Sequence, residues 1–227
     1  MNKDPARAAG TLAALAIRPA GSSMPHRVDA AIALAGAGLA GDRHADPLSP
    51  RQLLLAGSDT YDRLALAPHS LRENLLVDLD TSQLVSGTVL QVGLEVTLRL
   101  MFQCEACGGL DLQRPGLAGK LGPHRGMLAR VLTGGSIRPG DPVRDLGRLL
   151  PAWSDDWRKR VVQVLDAAPR GSVVAYRDLA RLAGIQTSYC RAFPRLLARL
   201  GPAYAGRAVA ANAAPSLPRW DGAGLYD

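Results

Sequence analysis

Aromatic residues are few: three Trp, five Tyr and two Phe in 227 residues. A core short of large rings has to be built from Leu, Val, Ala and Ile. Cysteine is scarce as well. Cys104, Cys107 and Cys190 make no disulfide framework, and a reducing, cytoplasmic setting is the expectation. No apolar run reaches about 18 residues, so no transmembrane helix and no membrane partner are expected. The opening Met1-Asn2-Lys3-Asp4-Pro5-Ala6-Arg7 carries an acid and a proline and lacks a signal-peptide core. The first ten residues read as a loose tail. Glutamate is missing from residues 151–227, which hold ten Arg and one Lys against six Asp, a net +5 of the whole chain's +7. The charge suits an anionic partner, nucleic acid, a phosphorylated cofactor or a membrane surface, without choosing among them, and its concentration after residue 151 favours a DNA-facing module. The preference for Arg over Lys also fits a high-GC genome, which raises the sequence pI of about 9.8 without any function.

The first two thirds of the chain read as strand and turn. Glu95-Val96-Thr97-Leu98-Arg99-Leu100 alternates, with Val96, Leu98 and Leu100 on one face. Leu84 to Gly93 alternates more weakly. Ala129-Arg130-Val131-Leu132 runs into Gly134-Gly135, and Arg138-Pro139-Gly140-Asp141 is a turn in which proline presets φ. Many short strands punctuated by glycine favour a barrel. Near Arg148-Leu149-Leu150-Pro151-Ala152 the period changes. Ser154 is the expected N-cap of a helix, with Asp155 and Asp156 in its first turn and Trp157, Val161, Val164 and Leu165 at helical spacing up to Pro169. A short strand, Val173 to Tyr176, precedes a helix over 178–183 ended by Gly184. A further helix spans 188–200, with Pro194 inside it.

Cys107 lies in Phe102-Gln103-Cys104-Glu105-Ala106-Cys107-Gly108-Gly109-Leu110. Before it come Leu39-Ala40-Gly41-Asp42-Arg43-His44, Arg51-Gln52-Leu53 and Leu71-Arg72-Glu73-Asn74-Leu75. After it comes the stretch from Arg125-Gly126-Met127 to Pro139-Gly140-Asp141. From about Ala30 to Asp145 this cadence resembles the MOSC family, named after the C-terminal domain of molybdenum cofactor sulfurases. The resemblance implies an α+β chain whose first domain, residues 11–148, is a MOSC β-barrel. It also implies that one cysteine carries sulfur or ligates molybdenum. In Cys-x-x-Cys members the second cysteine does so, here Cys107. A thiolate is both soft ligand and nucleophile, and neighbouring cations raise its thiolate fraction. Arg43, His44, Arg51, Arg72, Asn74, Lys120 and Arg125 are the candidate residues around a molybdenum cofactor, and a sulfur donor protein is an implied partner. The residues set no oligomeric state.

The second domain, residues 153–227, has its own cadence: Val161-Val162-Gln163-Val164-Leu165, Pro169-Arg170-Gly171-Ser172-Val173-Val174-Ala175-Tyr176, Leu179-Ala180-Arg181-Leu182-Ala183-Gly184 and Cys190-Arg191-Ala192. This resembles the DNA-binding part of O6-alkylguanine-DNA alkyltransferases and implies a small winged-helix-like helical domain. Tyr176, Arg191 and Arg207 would face DNA, Tyr176 against a phosphate and Arg191 in the space of an extruded base. The family's Pro-Cys-His-Arg aligns with Tyr204-Ala205-Gly206-Arg207, which has neither thiol nor imidazole. Alkyl transfer, which needs a thiolate made by an adjacent base, is not expected.

Several motifs have plainer readings. Gly36-Ala37-Gly38-Leu39-Ala40-Gly41 spells a dinucleotide loop, yet Asp42-Arg43-His44-Ala45-Asp46-Pro47 follows where a helix should open. Cys104 and Cys107 lack two further ligands at zinc spacing, so no zinc is expected there, while a labile disulfide between them stays open. Small buried hydrophobes are the plain reading of the other cysteines, and Cys190 is expected to be inert. Arg72-Glu73-Asn74 is equally a structural unit, with Glu73 pairing an arginine and Asn74 fixing a turn. The two functional classes are therefore cofactor or sulfur chemistry at Cys107 and a DNA-associated binding module.

Overall fold

The computed structural model describes residues 7–106, 108–112 and 114–226. The described chain divides into two compact units, residues 1–47 with 51–152, and residues 48–50 with 153–227. The first unit is built from β1 (Arg7–Ile17), β2 (His26–Arg27), β3 (Ala31–Leu34), β4 (Gly38–Leu39), β5 (Leu53–Gly57), β6 (Leu75–Val77), β7 (Thr88–Val92), β8 (Val96–Gln103), β9 (Met127–Thr133), β10 (Gly135–Ile137) and β11 (Pro142–Arg148). Short helices α1 (Ser58–Leu64), α2 (Gly108–Asp111) and α3 (Leu117–Leu121) join them. Seven strands close on themselves in the order β11-β7-β8-β9-β5-β6-β1, with β1 returning to β11. Within the ring, β5 and β6 are parallel, linked through α1, and the other pairings are antiparallel. The expected β-barrel is thus a closed one, and closure removes the sheet edges.

Its interior is aliphatic, as the scarcity of rings requires: Leu12, Leu15, Leu55, Leu75, Leu90, Leu98, Leu100 and Val96 are completely buried. Val96, Leu98 and Leu100 share the inner face, as their alternation predicts. Arg99 and Met101, on the outer face of β8, are buried too, and an Arg99 Nη2 donates to the Pro151 carbonyl at 3.0 Å. The strand is covered on both sides.

Residues 7–10, expected in a loose tail, are instead the start of β1 and pair with β11, Arg7 opposite Asp145 and Gly10 opposite Val143. Glycine is needed at position 10, because a Cβ there would lie 2.1 Å from the Asp78 carbonyl oxygen. Gly36 to Gly41 forms the β3–β4 hairpin and its exit turn, not a strand-to-helix loop.

The second unit holds α4 (Trp157–Ala167), β12 (Val174–Ala175), α5 (Tyr176–Leu182), α6 (Phe193–Leu200), α7 (Pro202–Ala205) and β13 (Ala208–Val209). β12 and β13 pair in parallel, and Val161, Val164, Leu165, Leu179, Leu182, Phe193 and Leu197 are among its buried residues. The buried Arg160 braces it, Nε donating to the Ala183 carbonyl at 2.8 Å and Nη1 to those of Ser154 and Asp155. Asp156, not Ser154, caps α4, accepting from the Arg158 amide at 2.9 Å, while the Ser154 hydroxyl accepts from the Asp156 amide one turn earlier. The expected helix over 188–200 is two pieces. A 3₁₀ turn covers Thr187–Ala192, and α6 begins afresh at Phe193 with Pro194 in its first turn, where a missing amide costs nothing. Among the described residues no helix is long and apolar enough to cross a membrane.

Candidate functional site

Asp42, buried in the turn after β4, organises one end of the barrel. Its Oδ2 accepts from the Arg18 amide and from Asn74 Nδ2, both at 2.8 Å, and its Oδ1 from the His44 amide at 2.8 Å. The Arg43 amide donates to the Arg18 carbonyl, also at 2.8 Å. Asn74 enters β6 and is buried. Its amide donates to the Leu54 carbonyl at 2.9 Å, its Oδ1 accepts from the Leu54 amide at 3.1 Å, and its Nδ2 also donates to the Ala16 carbonyl at 3.3 Å. One side chain therefore ties β1, β5 and the Asp42 turn together. Asn74 fixes this three-way junction rather than a local turn, and Arg72, at φ 57°, sits in the strained left-handed region two residues ahead of it.

The charges gathered here are lopsided. Burial, then Arg43 and Arg72, hold the Arg18 guanidinium below its ordinary value, with Asp42 opposing. His44 keeps solvent contact, yet its imidazole is also held below the ordinary value, first by partial loss of hydration. Asp42 opposes this, and Arg43, Arg51 and Arg18 reinforce it. Arg18, Arg43, Arg51, Arg72 and His44 thus feel one another, while the one carboxylate among them is occupied by two amides and a carboxamide. Sequence reasoning missed Arg18 and Asp42, whose link spans 24 residues.

The sign of the His44 shift sets a pH dependence. A base whose folded pKa is depressed contributes stability above its unfolded value, near 6.5, and that stability is lost as pH falls. A bound anion favours the imidazolium, so binding takes up a proton. Affinity for sulfate, which does not titrate in this range, is expected to rise as pH drops from about 7.5 to about 5.5. Calorimetric titration checks it: a pH-independent wild type, or the same dependence in His44→Ala, contradicts the assignment.

A second cluster lies on the α1 side of β5. Glu73 is fully buried, and among the described residues its side chain meets Tyr61 and His69 rather than an arginine. Its Oε2 accepts from the Tyr61 hydroxyl and its Oε1 lies 2.9 Å from His69 Nδ1. Burial, then the Glu73 charge, push the Tyr61 phenol far above its ordinary value, while Arg125 opposes. Arg125 is itself buried, and its Nε and Nη1 have no hydrogen-bond partner among the described residues. Beside it the Gly126 carbonyl accepts from the Cys104 amide at 2.8 Å, where β8 ends and the cysteine segment begins. Ala106 and Leu110, on either side of position 107, pack with Tyr61, Leu71, Leu117 and Leu121. Cys107 lies outside the described residues. Lys120 is exposed in the last turn of α3 and makes no hydrogen bond or ion pair with the Asp42 group.

In the second unit the three expected DNA-facing residues differ in exposure and bonding. Tyr176 opens α5 half-buried, its ring edge-on to Phe193 at 5.7 Å. Arg191 is exposed in the 3₁₀ turn. Arg207 is committed to the fold: its Nη2 donates to the Leu165 and Ala168 carbonyls at 2.8 Å and closes the C-terminus of α4. Cys190 Sγ sits 3.4 Å from the Tyr176 carbonyl, and burial raises its thiol pKa. Ala205 and Gly206, where the nucleophile and base would stand, are exposed at the end of α7.

With this geometry in place, the match to a known family is specific. Residues 49–144 match the MOSC domain. The chain contains a MOSC domain. Solved structures share its fold. The YuaD protein from Bacillus subtilis superposes with a TM-score of 0.52 at 17% identity, over 60% of this chain and 94% of that one. YiiM from Geobacillus stearothermophilus gives 0.51 at 15% identity, over 83% of this chain and 99% of that one. A further crystal structure, of a hypothetical protein, gives 0.53 at 19% identity over 83% and 91%. At such identities the likeness is one of fold. A comparison with curated proteins gives no match. The matched MOSC segment contains Arg51, Arg72, Asn74, Cys107, Lys120 and Arg125, while Arg18, Asp42, Arg43 and His44 come from the strands and turns before it.

Proposed function

We propose that the MOSC unit holds the molybdenum cofactor, with Cys107 as a thiol that carries sulfur or ligates molybdenum in the reduction of N-hydroxylated compounds. The observation that carries this reading is the gathering of Arg18, Arg43, Arg51, Arg72 and His44 around a fully occupied Asp42. The unpartnered, buried Nε and Nη1 of Arg125 fit the same kind of group, because a guanidinium shielded from water calls for an acceptor. Arg43, Arg51 and Arg72, with Arg18, would hold the anionic end of the cofactor. Asn74 positions them through Asp42, and Arg125 would supply positive charge to the cysteine segment. When bound, the cofactor supplies the metal centre and its redox chemistry, and the protein supplies binding, orientation and electrostatics. In the carrier role, a sulfur donor protein delivers the sulfur to Cys107. Chain loaded with cofactor and dialysed should retain molybdenum, and Arg43→Ala with Arg72→Ala should lose most of it as salt rises. Equal retention by wild type and double variant overturns this reading.

A second reading is favoured by the exposed Arg177, Arg191, Arg195 and Arg199 on α5, the 3₁₀ turn and α6, in a unit without glutamate. In it, the second unit is a winged-helix-like, alkyltransferase-like DNA-binding module without alkyl transfer, since Ala205 has no sulfur and the Cys190 thiol is bonded inward. Binding to duplex DNA should then weaken steeply with salt, and Arg191→Ala should cost more on a mismatched duplex than on a matched one. No binding at low salt overturns it.

A further inference from the structure

The parallel pair β5 and β6 runs into a corner that neither reading uses. Asp59 lies in the first turn of α1. Asp80 caps the 3₁₀ turn Thr81–Gln83, its Oδ1 accepting from the Ser82 amide at 2.9 Å. His124 lies in the 3₁₀ turn Gly122–Arg125, its Nδ1 3.7 Å from Asp80 Oδ1. One ligand atom from each of the three lies within 4.8 Å of the others. Gly57, ending β5, makes room for this. A Cβ there would stand 2.5 Å from Asp59 Oδ1, 2.7 Å from the Leu79 carbonyl oxygen and 3.6 Å from the Thr81 nitrogen.

Two polar atoms on these same segments are shut away from water and unbonded among the described residues. Thr81, the chain neighbour of Asp80, is 1% exposed, and its hydroxyl has no partner. His124 Nδ1 is shielded from solvent and has no hydrogen-bond partner among the described residues, Asp80 Oδ1 lying 3.7 Å away. A protein seldom leaves such atoms bare, and an ion or ordered water is the ordinary explanation. Two carboxylates and an imidazole match the charge and donor type of a divalent ion.

We propose that Asp59, Asp80 and His124 bind a divalent transition-metal ion. The imidazole favours manganese or zinc over magnesium and calcium, which prefer all-oxygen sets. The ion joins α1, the segment after β6 and the turn that carries Arg125, so it would fix Arg125 from the residue before it. The site stands on its own geometry and is independent of the cofactor reading.

Loss of the free Mn2+ paramagnetic resonance signal on titration into the full chain measures the site. One equivalent should bind, Zn2+ should displace it and Mg2+ at the same concentration should not. His124→Ala and Asp59→Asn should each weaken binding roughly tenfold or more, and Cys107→Ser should leave it unchanged, which separates this site from the thiols. Asp59 is exposed and its replacement isosteric, so that variant tests the ligand without testing the fold. Failure of Mn2+ to bind at about 1 mM, or equal binding by wild type and both ligand variants, overturns the proposal.

Discussion

Brief alkylation at neutral pH should modify Cys107 well before Cys190. The rate follows the thiolate fraction, which changes about tenfold for each unit of pKa. Burial raises the Cys190 thiol, and its Sγ points at the Tyr176 carbonyl, an acceptor that stabilises the protonated form. Cys104 is buried where β8 ends, its Sγ 3.9 Å from the Glu105 carbonyl oxygen. Cys107 comes three residues later in the sequence; the Cys104 amide bonds to the Gly126 carbonyl next to Arg125, whose Nε and Nη1 have no hydrogen-bond partner among the described residues. Peptide mass spectrometry after a short pulse reads all three thiols at once. Equal labelling of Cys107 and Cys190 would remove Cys107 as the reactive group.

Asn74→Ala should be the most damaging single change in the barrel that leaves its apolar core untouched. It deletes the bonds to Asp42, the Ala16 carbonyl and the Leu54 amide. The Leu54 amide and the Asp42 carboxylate are then buried short of partners, each orphaned group costing about 1–3 kcal/mol. The sum, on the order of 3–5 kcal/mol, is a large share of a domain's total stability. Urea unfolding should show the midpoint falling with little change in slope, and sulfate affinity should fall with it as the Asp42 turn loosens. Asn74→Asp should be no rescue at neutral pH, because it sets a second carboxylate 2.8 Å from the first, at the position of the donor it replaces. A loss below about 1 kcal/mol in Asn74→Ala would show that the junction is not what holds the arginines.

What could be read from the sequence was local. The alternation of β8 located its inner face, and Pro194 marked the point where one helix becomes a 3₁₀ turn and a second helix. In Ser154-Asp155-Asp156 three adjacent residues can all cap, and the choice between them depends on where Trp157 must point, which tertiary packing decides. Arg43, His44, Arg51 and Arg72 stood out through a motif. Arg18 carried no local signal, since only a turn 24 residues away makes it part of the cluster. The bonds of Arg207 carried no local signal either, since exposed arginines and those that close a helix look alike until α4 is in place. Asp59, Asp80 and His124 are scattered over three connections, and the pairing of β5 with both β6 and β9 brings those connections together.

The most direct test of the central claim is a paired assay for molybdenum and for cyanide-labile sulfur on purified wild-type and Cys107→Ser chains, each exposed to the molybdenum cofactor and to a sulfur donor. The account predicts that wild type holds the cofactor's molybdenum through its thiol or carries labile sulfur, and that Cys107→Ser loses that content while Cys104→Ser and Cys190→Ser keep it. Wild type that acquires neither, or a Cys107→Ser chain that acquires as much as wild type, would contradict it.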